Sequence, residues 1–237
     1  VYAFALIDGR RAVTGGTDGA LFVWDLDTGD PLARFSVSDD DITCVIALVG
    51  ERLLAGGADG AVREWSLDAP ATPGRLVTDL GAEGVRALAL SPNGRRLVVA
   101  GRDPVVRLFD FPAGTPLGAL DGATSTIDAL EFLPDGRLLA TAGSTLFCWA
   151  AEPTTGEGHP LRGHETSIYG FAVAPDGRRA ATSDGDSLRL WDLSRGVELR
   201  FVPLPDVMPL ALAWSPDGKV LAIGMRDGEV RLLLAGE

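Results

Sequence analysis

Side chains able to do acid–base, nucleophilic or metal chemistry are scarce in this chain of 237 residues. It has two histidines, His159 and His164, and two cysteines, Cys44 and Cys148. His164 with Thr182, Ser183, Asp184 and Asp186 has the residue types for general-base activation of a hydroxyl. That chemistry needs the imidazole beside the hydroxyl in an open cleft. His159 precedes Pro160 at the end of a segment, 151–158, rich in Thr, Gly and Glu, and reads as a solvated loop residue. Two histidines exclude a multi-histidine metal site. Asp39-Asp40-Asp41 reads as a solvated loop. Asp25-Leu26-Asp27-Thr28-Gly29-Asp30 lacks the third ligand and the distal Glu of a calcium loop. The cysteines lie in the apolar runs Thr43–Ile46 and Leu146–Trp149 and read as small buried hydrophobes, with a disulfide left open. No nucleophile elbow, P-loop or dinucleotide fingerprint occurs. The expectation is a protein with no catalytic residue, no cofactor and no metal.

The bulk numbers narrow the partners. Hydrophobic residues make up 46% of the chain, enough to bury a core, and the formal net charge is -12. Such an acidic chain repels phosphate backbones and anionic lipid, which argues against nucleic acid and membranes. The longest apolar stretch, 138–151, is broken by Thr, Gly and Ser and is short of a membrane span. The start at Val1, with no leader-like segment, reads as a domain cut from a longer protein. Arg greatly outnumbers Lys, and Ala, Gly and Leu are abundant, a composition associated with G- and C-rich bacterial genomes. The compartment is not encoded here, with the cytoplasm favoured over the periplasm.

What positions these residues is a repeat. Trp24, Trp65, Phe109, Trp149, Trp191 and Leu233 fall at intervals of 41, 44, 40, 42 and 42 residues. A second marker keeps step: Ser91-Pro92-Asn93-Gly94, Leu133-Pro134-Asp135-Gly136, Ala174-Pro175-Asp176-Gly177 and Ser215-Pro216-Asp217-Gly218. Six units follow, at about 1–38, 39–81, 82–123, 124–163, 164–204 and 205–237. Within a unit, short apolar runs alternate with turn chemistry: Pro fixes φ, Asp bonds its own backbone, and Gly accepts φ > 0. Asp227-Gly228 is a tight hairpin signal. Runs such as Leu21-Phe22-Val23-Trp24 and Ala87-Leu88-Ala89-Leu90 are apolar throughout, so they should be covered on both faces. Strands so spaced and so covered predict an all-β fold of stacked small sheets.

These residues resemble the WD-repeat β-propeller family. Its markers are a Trp-Asp pair ending a third strand, an Asp-Gly turn before it, and a Gly-His pair opening the unit. Trp24-Asp25 and Trp191-Asp192 match the pair and Phe109-Asp110 nearly does, while Trp65-Ser66 and Trp149-Ala150 keep only the Trp and Leu233-Leu234 keeps neither. Asp18-Gly19, Asp59-Gly60 and Asp227-Gly228 match the turn, Asp103-Pro104 is worn, and the fifth unit carries Asp184-Gly185-Asp186 in a shifted register. Gly163-His164 is the intact Gly-His pair.

The resemblance implies one propeller domain over 1–237, with four-stranded antiparallel blades. Six repeats are visible, the parent is six- or seven-bladed, and the last blade lacks its fourth strand in this sequence. It also implies a buried hydrogen-bond chain through His164, Thr182 or Ser183, Asp184 or Asp186, and Trp191. The implied function is a non-catalytic scaffold that binds a protein or peptide. The loops carrying Thr17, Asp41, Ala58, Glu83 and Arg102, and Ser125, Ser167, Ser183, Met208 and Arg226, would form the binding face, with Arg102 and Arg226 as its anchors. A propeller hydrolase with a channel metal, and a sensor domain regulating an attached catalytic or redox module, are the alternatives.

Overall fold

The computed structural model describes residues 3–70, 73–150 and 156–234. The chain divides into two compact units, Val1–Leu120 and Asp121–Glu237. Each unit holds three antiparallel sheets.

In the first unit the sheets are β1 (Ala3–Leu6) to β4 (Pro31–Ser36), β5 (Ile42–Leu48) to β8 (Arg75–Asp79), and β9 (Ala87–Leu90) to β12 (Pro116–Leu120). Between these ends run β2 (Arg11–Gly15) and β3 (Ala20–Asp25), β6 (Arg52–Gly57) and β7 (Ala61–Ser66), and β10 (Arg96–Ala100) and β11 (Val106–Asp110). In the second unit they are β13 (Ile127–Phe132), β14 (Leu138–Ala142), β15 (Thr145–Trp149) and β16 (His159–Arg162), then β17 (Gly170–Val173), β18 (Arg179–Ser183), β19 (Ser187–Asp192) and β20 (Val197–Pro203). The sixth sheet has three strands, β21 (Pro209–Trp214), β22 (Val220–Met225) and β23 (Val230–Leu234). Every sheet is a simple meander in chain order. The one helical element among the described residues is a 3-10 turn at Gly81–Glu83, and no helix is long and apolar enough to cross a membrane.

The burial pattern explains the apolar runs. β14 is buried at every position and β6 at all but its first. Strands in the middle of a sheet meet a neighbour on both faces, so period-2 alternation disappears. In the first unit, Leu21, Phe35, Ile42, Leu53 and Trp65 fill the layer between the first two sheets, and Leu54, Val62, Val85, Leu97 and Phe109 fill the next. In the second unit, Leu139, Leu146, Ile168 and Trp191 fill one layer, and Leu188, Leu190, Leu221 and Ile223 the other. Each large side chain so buried contributes about 1.5–3 kcal/mol. The fourth strands are mostly exposed, as in β20.

Backbone hydrogen bonds lace neighbouring sheets together at one end. The N–H of Ile42 donates to the carbonyl of Gly16, that of Val85 to Gly57, and that of Ile168 to Gly143. The loop entering each of these sheets is thereby tied to the β2–β3, β6–β7 or β14–β15 hairpin of the sheet before it. Close approach of this kind needs glycine. At Gly60 (φ 89°) a Cβ would lie 2.2 Å from the carbonyl oxygen of Gly81.

Candidate functional site

The second unit buries a polar chain in its fifth sheet. His164 lies in the loop between β16 and β17, Thr182 on β18, Asp184 in the β18–β19 turn and Trp191 on β19, and all four are buried. Trp191 Nε1–H donates to Thr182 Oγ1 at 2.7 Å. Thr182 Oγ1 lies 2.7 Å from His164 Nε2. His164 Nδ1 lies 2.9 Å from Asp184 Oδ2, an ion-pair distance at which the N–H does not aim squarely at the oxygen. Asp184 Oδ1 accepts from the Ser187 hydroxyl at 2.6 Å.

Proton bookkeeping fixes the direction of the chain. An Nδ1 lone pair facing a carboxylate oxygen would be repulsive, so Nδ1 carries the proton and Nε2 accepts from the Thr182 hydroxyl. The threonine oxygen in turn accepts from the indole. Burial holds the His164 pKa below its ordinary value, although Asp184 pulls the other way, so the imidazole is neutral at pH 7. Burial pushes the Asp184 carboxyl up, but the Ser187 hydroxyl and His164 outweigh it, leaving a net lowering. The Thr182 hydroxyl is enclosed and already engaged on both sides. The arrangement locks two strands, a turn and a loop together and offers no nucleophile to solvent.

Ser183 and Asp186 fall outside this chain. Ser183 is fully buried, and its hydroxyl donates to the carbonyl of Pro209 at 3.2 Å. Strand alternation separates it from Thr182. Asp186 is exposed, and its backbone N–H donates to Asp184 Oδ1 at 3.3 Å. His159 begins β16 opposite Cys148 and is exposed. Both cysteines are free thiols, and burial pushes the Cys44 thiol up to about 12.

Other sheets hold the same corner with part of this chain or with an ion pair in its place. In the first sheet Trp24 Nε1–H donates to Thr14 Oγ1 at 2.8 Å. In the second, Arg63 Nη1 donates to the turn carboxylate of Asp59 at 2.6 Å. In the third, Arg107 pairs through both Nη atoms with Asp103, each nitrogen to its own oxygen, which holds that carboxyl below its usual range. Sequence reasoning missed these two arginines. Each stands four residues after its turn aspartate, a spacing that becomes a contact once the hairpin register is known.

Repeat spacing, meander sheets and the His164–Trp191 chain all agree with the sequence comparison. The model of the WD domain, G-beta repeat matches residues 74–110, 114–149 and 157–192, and that of the anaphase-promoting complex subunit 4 WD40 domain matches 205–236. The chain belongs to the WD-repeat β-propeller family. Relatives include Protein groucho of Drosophila melanogaster (27% identical, 65% of this chain and 21% of that protein) and Coronin-7 of Mus musculus (32%, 62% and 16%). Nuclear distribution protein PAC1 of Yarrowia lipolytica is 29% identical over 56% of this chain and 35% of its own length. This WD-repeat chain therefore spans well under half the length of each of these relatives.

Among the predicted face residues of the first three blades, Thr17 and Arg102 are exposed, and Asp41, Ala58 and Glu83 are half-buried. The Arg102 N–H donates to the Glu83 carbonyl, and the Ala58 N–H to that of Asp41. In the last three blades Ser125, Ser167 and Arg226 are exposed, Met208 is half-buried and Ser183 is enclosed. Met208 and Arg226 line a cleft of about 440 Å³ with Gly185, Asp206, Val207 and Asp227. Among the described residues no group of three or more His, Cys, Asp or Glu is placed to hold a metal ion.

Proposed function

We propose that this WD-repeat domain is a non-catalytic platform that captures a protein or peptide, as part of a larger bacterial protein. Its loops entering each blade and its hairpins between second and third strands are the capturing surface. The observation that carries this reading is the cleft at Met208 and Arg226, two residues that the family resemblance assigns to that surface. Membership of the WD-repeat family supports it, and so does the enclosure of the His164 chain, which leaves that set a structural task. Loops on rigid sheets are where binding residues concentrate.

The test is selection of a displayed peptide library on the immobilised domain, followed by affinity measurements with an Arg102→Ala/Arg226→Ala variant. Peptides that lose at least about tenfold in affinity, with the melting temperature nearly unchanged, support the platform. Unaltered binding together with a large drop in melting temperature overturns it. So does tightly bound, stoichiometric Ca²⁺ or Zn²⁺ in the purified protein.

A further inference from the structure

The cleft between the fifth and sixth blades has a definite chemistry. Three loops build it: Gly185 comes from the β18–β19 turn, Asp206, Val207 and Met208 from the β20–β21 connection, and Arg226 and Asp227 from the β22–β23 hairpin. They are held in place before any ligand arrives. The Leu204 N–H donates to the Asp186 carbonyl at 2.7 Å, and the Arg226 N–H to the Met208 carbonyl at 2.9 Å. The Asp227 carboxylate accepts the Glu229 N–H at 3.0 Å, which fixes the hairpin. Asp206 sits at φ 63°, a left-handed conformation that short polar residues tolerate.

Opposite charges line this cleft without pairing. Arg226 forms no ion pair with Asp206 or Asp227, and its Nη1 meets only the Met208 sulfur at 3.9 Å. Asp206 and Asp227 meet no cation among the described residues. Two carboxylates against one guanidinium make the cleft net negative, on a chain of net charge -12. The long-range field and the local surplus therefore agree in sign, and both select a cation.

We infer that this cleft binds a peptide segment through a basic side chain, Arg or Lys, whose charge lies between Asp206 and Asp227. Val207 and Met208 receive its methylene stem, as apolar surface does for long cationic side chains. Arg226 donates to a backbone carbonyl of the same segment, which keeps the two positive charges apart. This rests on the platform reading and names the chemistry of its partner at one place.

The experiment measures binding of short blocked peptides, alike except for a central Arg, norleucine or Glu, by fluorescence anisotropy. The Arg peptide should bind tightest, weaken as salt is raised, and lose at least about tenfold in affinity to an Asp206→Asn/Asp227→Asn variant. Asn tolerates both backbone positions, so the variant keeps the loop fold. Tighter binding of the Glu peptide, no binding of any of the three, or a loss under twofold in the variant overturns the inference. If library peptides bind the domain but ignore the Asn pair, this chemistry fails while the platform stands. If the library yields no binder, both fail.

Discussion

Thr182 carries more than its size suggests, because one hydroxyl satisfies two buried aromatic nitrogens. Thr182→Val keeps the shape and strands both partners, and each orphaned buried group costs about 1–3 kcal/mol. Urea denaturation should show a loss of about 2–4 kcal/mol, and Thr182→Ser should restore most of it. Burial raises Glu131 on β13 to about 7. Its ladder partner Leu139 belongs to the apolar layer between the fourth and fifth blades. A carboxyl whose folded pKa is raised gives stability that is intact below its ordinary value near 4.5 and lost as pH rises through about 7. His164, shifted down, has the opposite slope: stability falls as pH drops below about 6.5. Comparing Glu131→Gln with the parent isolates the first effect. The variant should match the parent near pH 4 and exceed it by up to about 3 kcal/mol near pH 8. A difference that does not grow with pH would refute this. His164 and Trp191 stand at the Gly-His and Trp-Asp markers, Asp184 was one of two candidates in the shifted turn, and Glu131 carried no marker. A charged residue in Ala129-Leu130-Glu131-Phe132 looks like the wet position of an alternating strand until the stacking neighbour is known.

Hairpins were read well wherever Asp-Gly survives, because that pair encodes its own turn. Their importance was not legible, since it depends on what the next blade brings close. Gly60 and Gly228 have nearly the same φ, 89° and 91°. A Cβ at Gly60 would collide with backbone of the 80–81 connection, while one at Gly228 would meet nothing within 4 Å. Gly228→Ala should therefore cost only the left-handed penalty of about 1–2 kcal/mol. Gly60→Ala should cost clearly more and loosen the joint between the second and third blades. Thermal melts rank the two, and hydrogen exchange at Leu80 and Val85 reads the joint, because their N–H groups donate to the carbonyls of Gly60 and Gly57. Equal costs would show that the close approach does not matter. The Asp59–Arg63 and Asp103–Arg107 pairs teach the same lesson. Where the histidine is missing, an arginine on the third strand restrains the turn, and it becomes visible only through strand register.

At the scale of the whole chain, six markers in phase made the fold class legible, because stacked small sheets leave a period that no single motif carries. The cleft was partly legible: Met208 and Arg226 follow from loop position and Asp227 from its Asp-Gly turn, but Asp206 and Val207 carry no periodic signal. The three-stranded last blade was legible too, and it has a consequence for the isolated domain. Among the described residues β23 pairs with β22 alone, and its Val230, Leu232 and Leu234 are 67%, 72% and 65% exposed. An open strand edge beside an apolar surface is a template for another chain. The net charge of -12 opposes association at low salt and is screened at high salt. Sedimentation velocity on the isolated domain should therefore show self-association that grows with concentration and with salt. Leu232→Lys faces solvent, places a like charge at the edge of each copy and leaves the Leu221 and Ile223 core untouched, so it should shift the domain towards monomer without lowering its melting temperature. Association that falls as salt is added, or that persists unchanged in the Leu232→Lys variant, would place the contact elsewhere than β23.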